Sequence, residues 1–171
     1  PHFAVGTKDQ DASRLFYEPL AAWDRDGNLR PKLAASIPNR ADGTLSADGL
    51  WVVWKLKRDV RWHDGKPFTA DDVVFTFNKL LDAKQHSFFR SMFTYGDKPV
   101  QVSKVDDRTV KFTLPQVSAA FTGTLVQIYP IPQHVFASEG DLEKSSKNDA
   151  PVGSGPFKFK EYRAGQYYAL T

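Results

Sequence analysis

Residues 62–75, WHDGKPFTADDVVF, contain the end of a strand, a tight turn and the capped start of a helix within fourteen positions. Asp64 and Gly65 form the flexible turn pair, and Pro67 stiffens the approach to Thr69. Thr69 has the hydroxyl of an N-cap, and Asp72 stands at the third helical position, where a capping box places its carboxylate. Asp71 and Asp72 also complement the positive end of the helix dipole. From Ala70 the spacing predicts a helix to about Ala83. Val73, Phe77, Leu80 and Leu81 form an apolar stripe suited to covering a sheet, while Asn78, Lys79 and Asp82 take the wet side. None of this local chemistry requires catalysis.

Working outward, Leu50–Leu56 alternates as a strand with Val52, Trp54 and Leu56 on one apolar face. Residues 100–105 and 109–114 flank Asp106-Asp107-Arg108 and predict an antiparallel hairpin with Val110, Phe112 and Leu114 facing inward. A smaller hairpin turns at DRDGN, residues 24–28, and a last one pairs 157–162 with 166–170 around Arg163-Ala164-Gly165. Residues 11–17 read as a weak helix ended by Pro19, which disfavours helix at Glu18. Residues 118–125 read as a short helix, 128–131 as an extended piece and 133–136 as one helical turn. Residues 39–49, with two Asp-Gly pairs, are expected as an exposed loop, and the polar stretch 139–150 as a mobile surface segment. These elements predict an α+β fold, an antiparallel or mixed β-sheet with a few covering helices.

The chain has 171 residues, of which 41% are hydrophobic, including 13 Phe, 6 Tyr and 4 Trp, enough aromatic surface for a folded core. Its net charge of +3 creates no long-range field that calls for nucleic acid. Lys55, Lys57, Arg58, Arg61 and Lys66 are interspersed with Asp59 and Asp64, as on a solvated sheet face. With no cysteine, disulfides and thiolate chemistry are excluded. No apolar run approaches membrane-spanning length, and no charged-then-apolar leader precedes Phe3, so these residues carry no targeting signal to read. It opens on Pro1 and closes inside an expected strand, which suggests a piece of a longer protein.

Four histidines, His2, His63, His86 and His134, lack the paired spacing of a zinc site, so no metal is expected. His63 beside Asp64 would need a nucleophile that no motif supplies, and the chain does not read as an enzyme. Gly153-Ser154-Gly155-Pro156 lacks the lysine of a phosphate loop and the third glycine of a dinucleotide turn. Gly153 and Gly155 are therefore expected to make a tight structural turn, and no cofactor follows. Phe88, Phe89, Phe93 and Tyr95 cluster near Arg90, either as core or as an exposed ligand wall.

Residues 62–75, 15–36 (LFYEPLAAWDRDGNLRPKLAAS) and 151–159 (PVGSGPFKF) together resemble the extracellular solute-binding proteins of family 5, the capture components of peptide-type ABC importers. The resemblance implies a two-lobed, periplasmic-binding-protein-like clamp of which this chain is an N-terminal part. It assigns residues 1–38 to the ligand-facing first lobe, 39–156 to a small α+β subdomain of that lobe, and 157–171 to a hairpin returning toward it. By the same similarity Phe89 and Arg90, and Val5, Gly6 and Thr7 near the N-terminus, become ligand-binding candidates. Asp64, Gly65, Thr69, Asp72, Gly153 and Gly155 are expected to shape the fold. The implied partners are a small peptide or other polar solute and the importer's permease subunits, with the binding protein a monomer. It would work in a periplasm or outside the cell, free or lipid-anchored. The rival from another class is a stand-alone interaction module using aromatic surface and a sheet edge.

Overall fold

The computed structural model describes residues 7–163 and 165–171. The chain enters through helix α1 (Thr7–Phe16) and makes a small hairpin, β1 (Ala21–Trp23) with β2 (Leu29–Pro31). Strand β3 (Trp51–Lys55) precedes the long helix α2 (Ala70–Leu81). A 3₁₀ stretch at Phe88–Phe93 leads into two short pairing strands, β4 (Thr94–Tyr95) and β5 (Lys98–Pro99). The hairpin β6 (Gln101–Asp106) and β7 (Thr109–Thr113) follows, then two single-turn helices, α3 (Phe121–Thr124) and α4 (Gln133–Phe136). A final hairpin joins β8 (Phe159–Arg163) to β9 (Tyr167–Leu170).

The central sheet is antiparallel in the order β3-β7-β6. Its register sets Val52 opposite Phe112 and Trp54 opposite Val110, so the apolar faces read from β3 and β7 coincide. Helix α2 covers this sheet with Val73, Phe77 and Leu80 buried, while Leu81 is only half-buried. Phe77 meets Phe112 edge-on at 4.9 Å and Phe93 at 5.2 Å, and Phe121 closes the group against Phe93 and Phe112. Such edge-to-face pairs contribute about 0.5–1.5 kcal/mol each beyond the area they bury.

The structure departs from the sequence expectations at three places, and at the second and third the cause is a specific set of hydrogen bonds. Helix α1 begins earlier than predicted, at Thr7. The loop 39–49 is not wholly exposed: Thr44 and Ser46 are buried because the loop serves the edge of β3, with Val53 N–H donating to Thr44 O at 2.7 Å and Ser46 N–H to Trp51 O at 3.0 Å. The polar segment 139–150 is pinned rather than free. The Gln85 amide donates to Gly140 O at 2.7 Å and accepts from Leu142 N–H at 3.2 Å, and Leu142 itself is buried. Lys79 Nζ adds a bond to Glu139 O at 3.0 Å.

Because Phe77 stands between the sheet and the Phe93 ring, Phe77→Ala is expected to destabilise the protein by about 3–5 kcal/mol. Lys79→Ala, which removes one partly exposed hydrogen bond, is expected to lower stability by about 1 kcal/mol or less. Urea unfolding midpoints of the two variants check the difference.

Candidate functional site

The three sequence stretches singled out above meet at one crossing. His63 N–H donates to Gly153 O at 2.8 Å, and Gly153 N–H donates to His63 Nδ1 at 3.3 Å. His63 Nε2 lies 2.9 Å from Gly155 O. A carbonyl only accepts, so the proton must sit on Nε2 while Nδ1 receives the Gly153 N–H; the neutral ring satisfies both. The glycine segment then passes over the end of α1. Gly155 N–H donates to Phe16 O at 2.7 Å, Phe157 N–H to Leu15 O at 3.1 Å, and Glu18 N–H to Ser154 Oγ at 3.3 Å. A Cβ at Gly153 would overlap the Phe16 carbonyl, and one at Gly155 would lie 2.7 Å from the Phe16 carbonyl carbon. Both glycines are therefore required by close backbone approach.

The turn before α2 is anchored on two aspartates. Gly65 carries the positive φ of +86° that the turn demands. Asp64 accepts from Lys66 N–H at 3.1 Å and pairs with His134 Nε2 at 2.6 Å. Partial burial works to raise its pKa, but the His134 bond, the Lys66 N–H and the charges of His134 and Lys66 outweigh it and hold the carboxyl below its ordinary value. Asp72 does more than complement the helix dipole. It is 4% exposed; its Oδ2 accepts from Thr69 N–H at 2.9 Å and from Trp62 Nε1 at 3.1 Å, and its Oδ1 accepts from Gln133 N–H at 2.9 Å. Thr69 and Asp72 complete the predicted capping box. Burial nevertheless pushes the Asp72 carboxyl up, against the pull of these donors.

This crossing fixes the residues that follow α1, and those residues wall a cleft of about 320 Å³. Tyr17, Glu18 and Trp23 form one side, and Phe89 and Tyr129 contribute aromatic surface to the rest. Burial pushes the Tyr17 phenol up, so it stays protonated as a neutral wall. Arg14 and Glu18 bring both signs of charge to the same cleft, and Glu18 lies 3.8 Å from Lys32. A concave cleft that sets Tyr17, Trp23, Phe89 and Tyr129 beside polar Arg14, Glu18 and Gln127 suits the binding of a small amphipathic molecule.

The sequence candidates distribute unevenly around it. Phe89, 5% exposed, lines the cleft and meets Phe88 edge-on, while Phe88 itself stands 69% exposed. Arg90 is not among the lining residues; its Nε donates to Leu81 O at 2.9 Å, across a turn of backbone. Thr7 opens α1, the helix whose far end supplies Ser13 and Arg14 to the cleft. Val5 and Gly6 lie outside the described residues. Sequence reasoning missed His134, Trp62, Glu18 and Ser154 as members of the crossing, because their partners stand 10 to 136 positions away. Among the described residues no group of three or more His, Asp or Glu could hold a metal ion, and no helix is long and apolar enough to cross a membrane.

Residues 28–171 match the family model of the bacterial extracellular solute-binding proteins, family 5 (middle region). The oligopeptide-binding protein AppA of Bacillus subtilis is 37% identical over 172 residues, covering 98% of this chain and 30% of the relative. The crystal structure of the ABC transporter substrate-binding protein CtaP from Listeria monocytogenes superposes with a TM-score of 0.89 at 48% identity, over 99% of this chain and 33% of that one. Bacillus subtilis AppA in complex with a nonapeptide superposes with a TM-score of 0.86 at 30% identity, over 99% of this chain and 32% of that one. The chain thus spans about a third of the length of the proteins it matches.

Two outcomes test the crossing and its anchor. Gly153→Ala and Asp72→Ala should each lower stability by about 3 kcal/mol or more, the first by backbone overlap and the second by stranding the buried Trp62 Nε1–H and the part-buried Thr69 and Gln133 N–H donors, as read by urea unfolding. For Asp64 the folded pKa is depressed, so its contribution is present above its unfolded value, near 3.8, and is lost as pH falls through the folded one. Asp64→Asn should therefore weaken the protein at neutral pH and leave it close to wild type in acid, a difference that thermal melts at the two pH values would reveal.

Proposed function

As this chain belongs to the bacterial extracellular solute-binding proteins of family 5, we propose that it forms one wall of the solute cleft in the capture component of an ABC importer. That component takes peptides or similar small polar solutes outside the cytoplasmic membrane and delivers them to permease subunits. It acts as a monomer, free or held by a lipid to the outer face of that membrane. The observation that carries this reading is the cleft itself, with Phe89, Tyr17 and Trp23 on walls that the α1 crossing holds in place.

The backbone bonds from Gly155 N–H to Phe16 O and from Phe157 N–H to Leu15 O tie the N-terminal segment to the return around residue 156. They support the division in which residues 1–38 and 157–171 share a ligand-facing lobe and 39–156 form the subdomain between them. Phe89 is proposed as a solute contact. Val5, Gly6 and Thr7 are proposed as further solute contacts, on the similarity of the N-terminal segment to the family. Arg90, whose Nε donates to Leu81 O, is proposed as a further solute contact. A second lobe closing over the cleft would bury the solute from both faces, a population shift that bound solute favours. The stand-alone interaction module is set aside, because the family match covers residues 28–171.

Isothermal titration of a di- to nonapeptide panel tests the division of labour between lobes. The intact protein should bind at least one member of the panel, whereas residues 1–171 alone should fold cooperatively and give no measurable heat. Micromolar binding by the isolated 171 residues would sink the two-wall arrangement.

A further inference from the structure

We propose that Trp23 sets the selectivity of the cleft by offering its indole face to an aromatic side chain of a bound peptide; this deepens the functional reading above and rests on it. The chain has four tryptophans, and their environments differ in kind. Trp54 and Trp62 are buried in the core, and Trp51 is half-buried with Lys111 Nζ 4.9 Å from its ring centroid. Trp23 alone among them is exposed, at 55%, and it is the one that lines the cleft.

A single exposed apolar side chain needs no explanation by itself. What distinguishes Trp23 is that it is braced from two directions. Its backbone ends β1 in register with Leu29, and the next residue, Asp24, locks the turn. Asp24 Oδ1 accepts from Asp26 N–H at 3.0 Å and Asn28 N–H at 2.8 Å, and Oδ2 accepts from Arg30 Nε at 2.7 Å. On the far side the indole rests against α3 at Gly123, where a Cβ would stand only 3.1 Å from the six-membered ring. Glycine at 123 thus leaves the space that the ring edge occupies, and the indole is held before any ligand arrives.

A ring held in advance loses little conformational entropy on binding, which is how rigid aromatic walls gain affinity. Phe89, Tyr17 and Tyr129 share the cleft and extend the apolar surface, while Arg14 and Glu18 offer both signs of charge to a zwitterionic peptide. The arrangement fits a peptide whose aromatic side chain stacks on Trp23 while its charged ends stay near the polar walls.

The test uses the intact protein and two tripeptides, Ala-Phe-Ala and Ala-Ala-Ala, by isothermal titration. Wild type should prefer the phenylalanine peptide. Trp23→Ala should weaken it by about tenfold, the size of one aromatic contact, and change trialanine by about twofold or less. Trp23→Phe should keep most of the preference, and Trp23→Leu, which preserves bulk without a ring, should lose it even if the alanine variant folds poorly. A preference unchanged in both the Ala and Leu variants overturns the role of Trp23 while leaving the capture function standing. Failure of the intact wild type to bind either tripeptide or any peptide of the panel overturns the functional reading, and this proposal with it.

Discussion

The carbonyl of Phe16 lies where the side chains of residues 153 and 155 would be, and Gly155 N–H bonds to it directly. That approach is possible only because neither position carries a Cβ. It welds the end of α1 to a segment some 140 positions later, and His63 clamps the same segment with its backbone and both ring nitrogens. The cleft-lining residues Tyr17 and Glu18 follow immediately after the weld, so their positions are consequences of it. A binding wall assembled from distant pieces of chain stays in place only if such crossings are stiff, and backbone-to-backbone contact without intervening side chains is the stiffest available.

Asp72 has the equivalent role at the start of α2. It joins the cap of that helix, the indole of Trp62 and the start of α4 through a single carboxylate. Three N–H donors compensate much of the cost of burying that charge, yet burial still dominates and the carboxyl sits above its ordinary value. Asp64, at the turn before the same helix and more open to water, is displaced the other way by His134. Two aspartates eight positions apart thus respond to acid in opposite senses: ionisation of Asp72 is opposed by the fold, and ionisation of Asp64 is favoured by it.

Much of the architecture was legible because its causes are local. The Asp64-Gly65 turn, the Thr69 and Asp72 capping box and the stripe of Val73, Phe77 and Leu80 all act within one or two turns of chain. The strand alternation of β3 and the Asp106-Asp107-Arg108 turn are local in the same sense, and both elements formed within a residue or two of expectation. Less legible were segments whose order is imposed from outside. Residues 139–150 look solvated in isolation, and only the side chain of Gln85 and the burial of Leu142 give them a fixed path. Phe88 and Phe89 are identical neighbours in sequence, but the 3₁₀ stretch turns one into solvent and the other onto the cleft.

By itself, then, the sequence determined the local elements, the α+β class and the short motifs at 62–75 and 151–159, since each follows from periodicity, capping or backbone freedom over a few residues. Tertiary structure alone decided that those motifs touch, that His134 serves Asp64 and Gln133 serves Asp72, and that Trp23 and Phe89 border one cleft. The reason is physical: a hydrogen bond or a shared cavity between residues roughly 60 to 140 positions apart leaves no periodic trace along the chain. It exists only once packing of the core has brought the partners together.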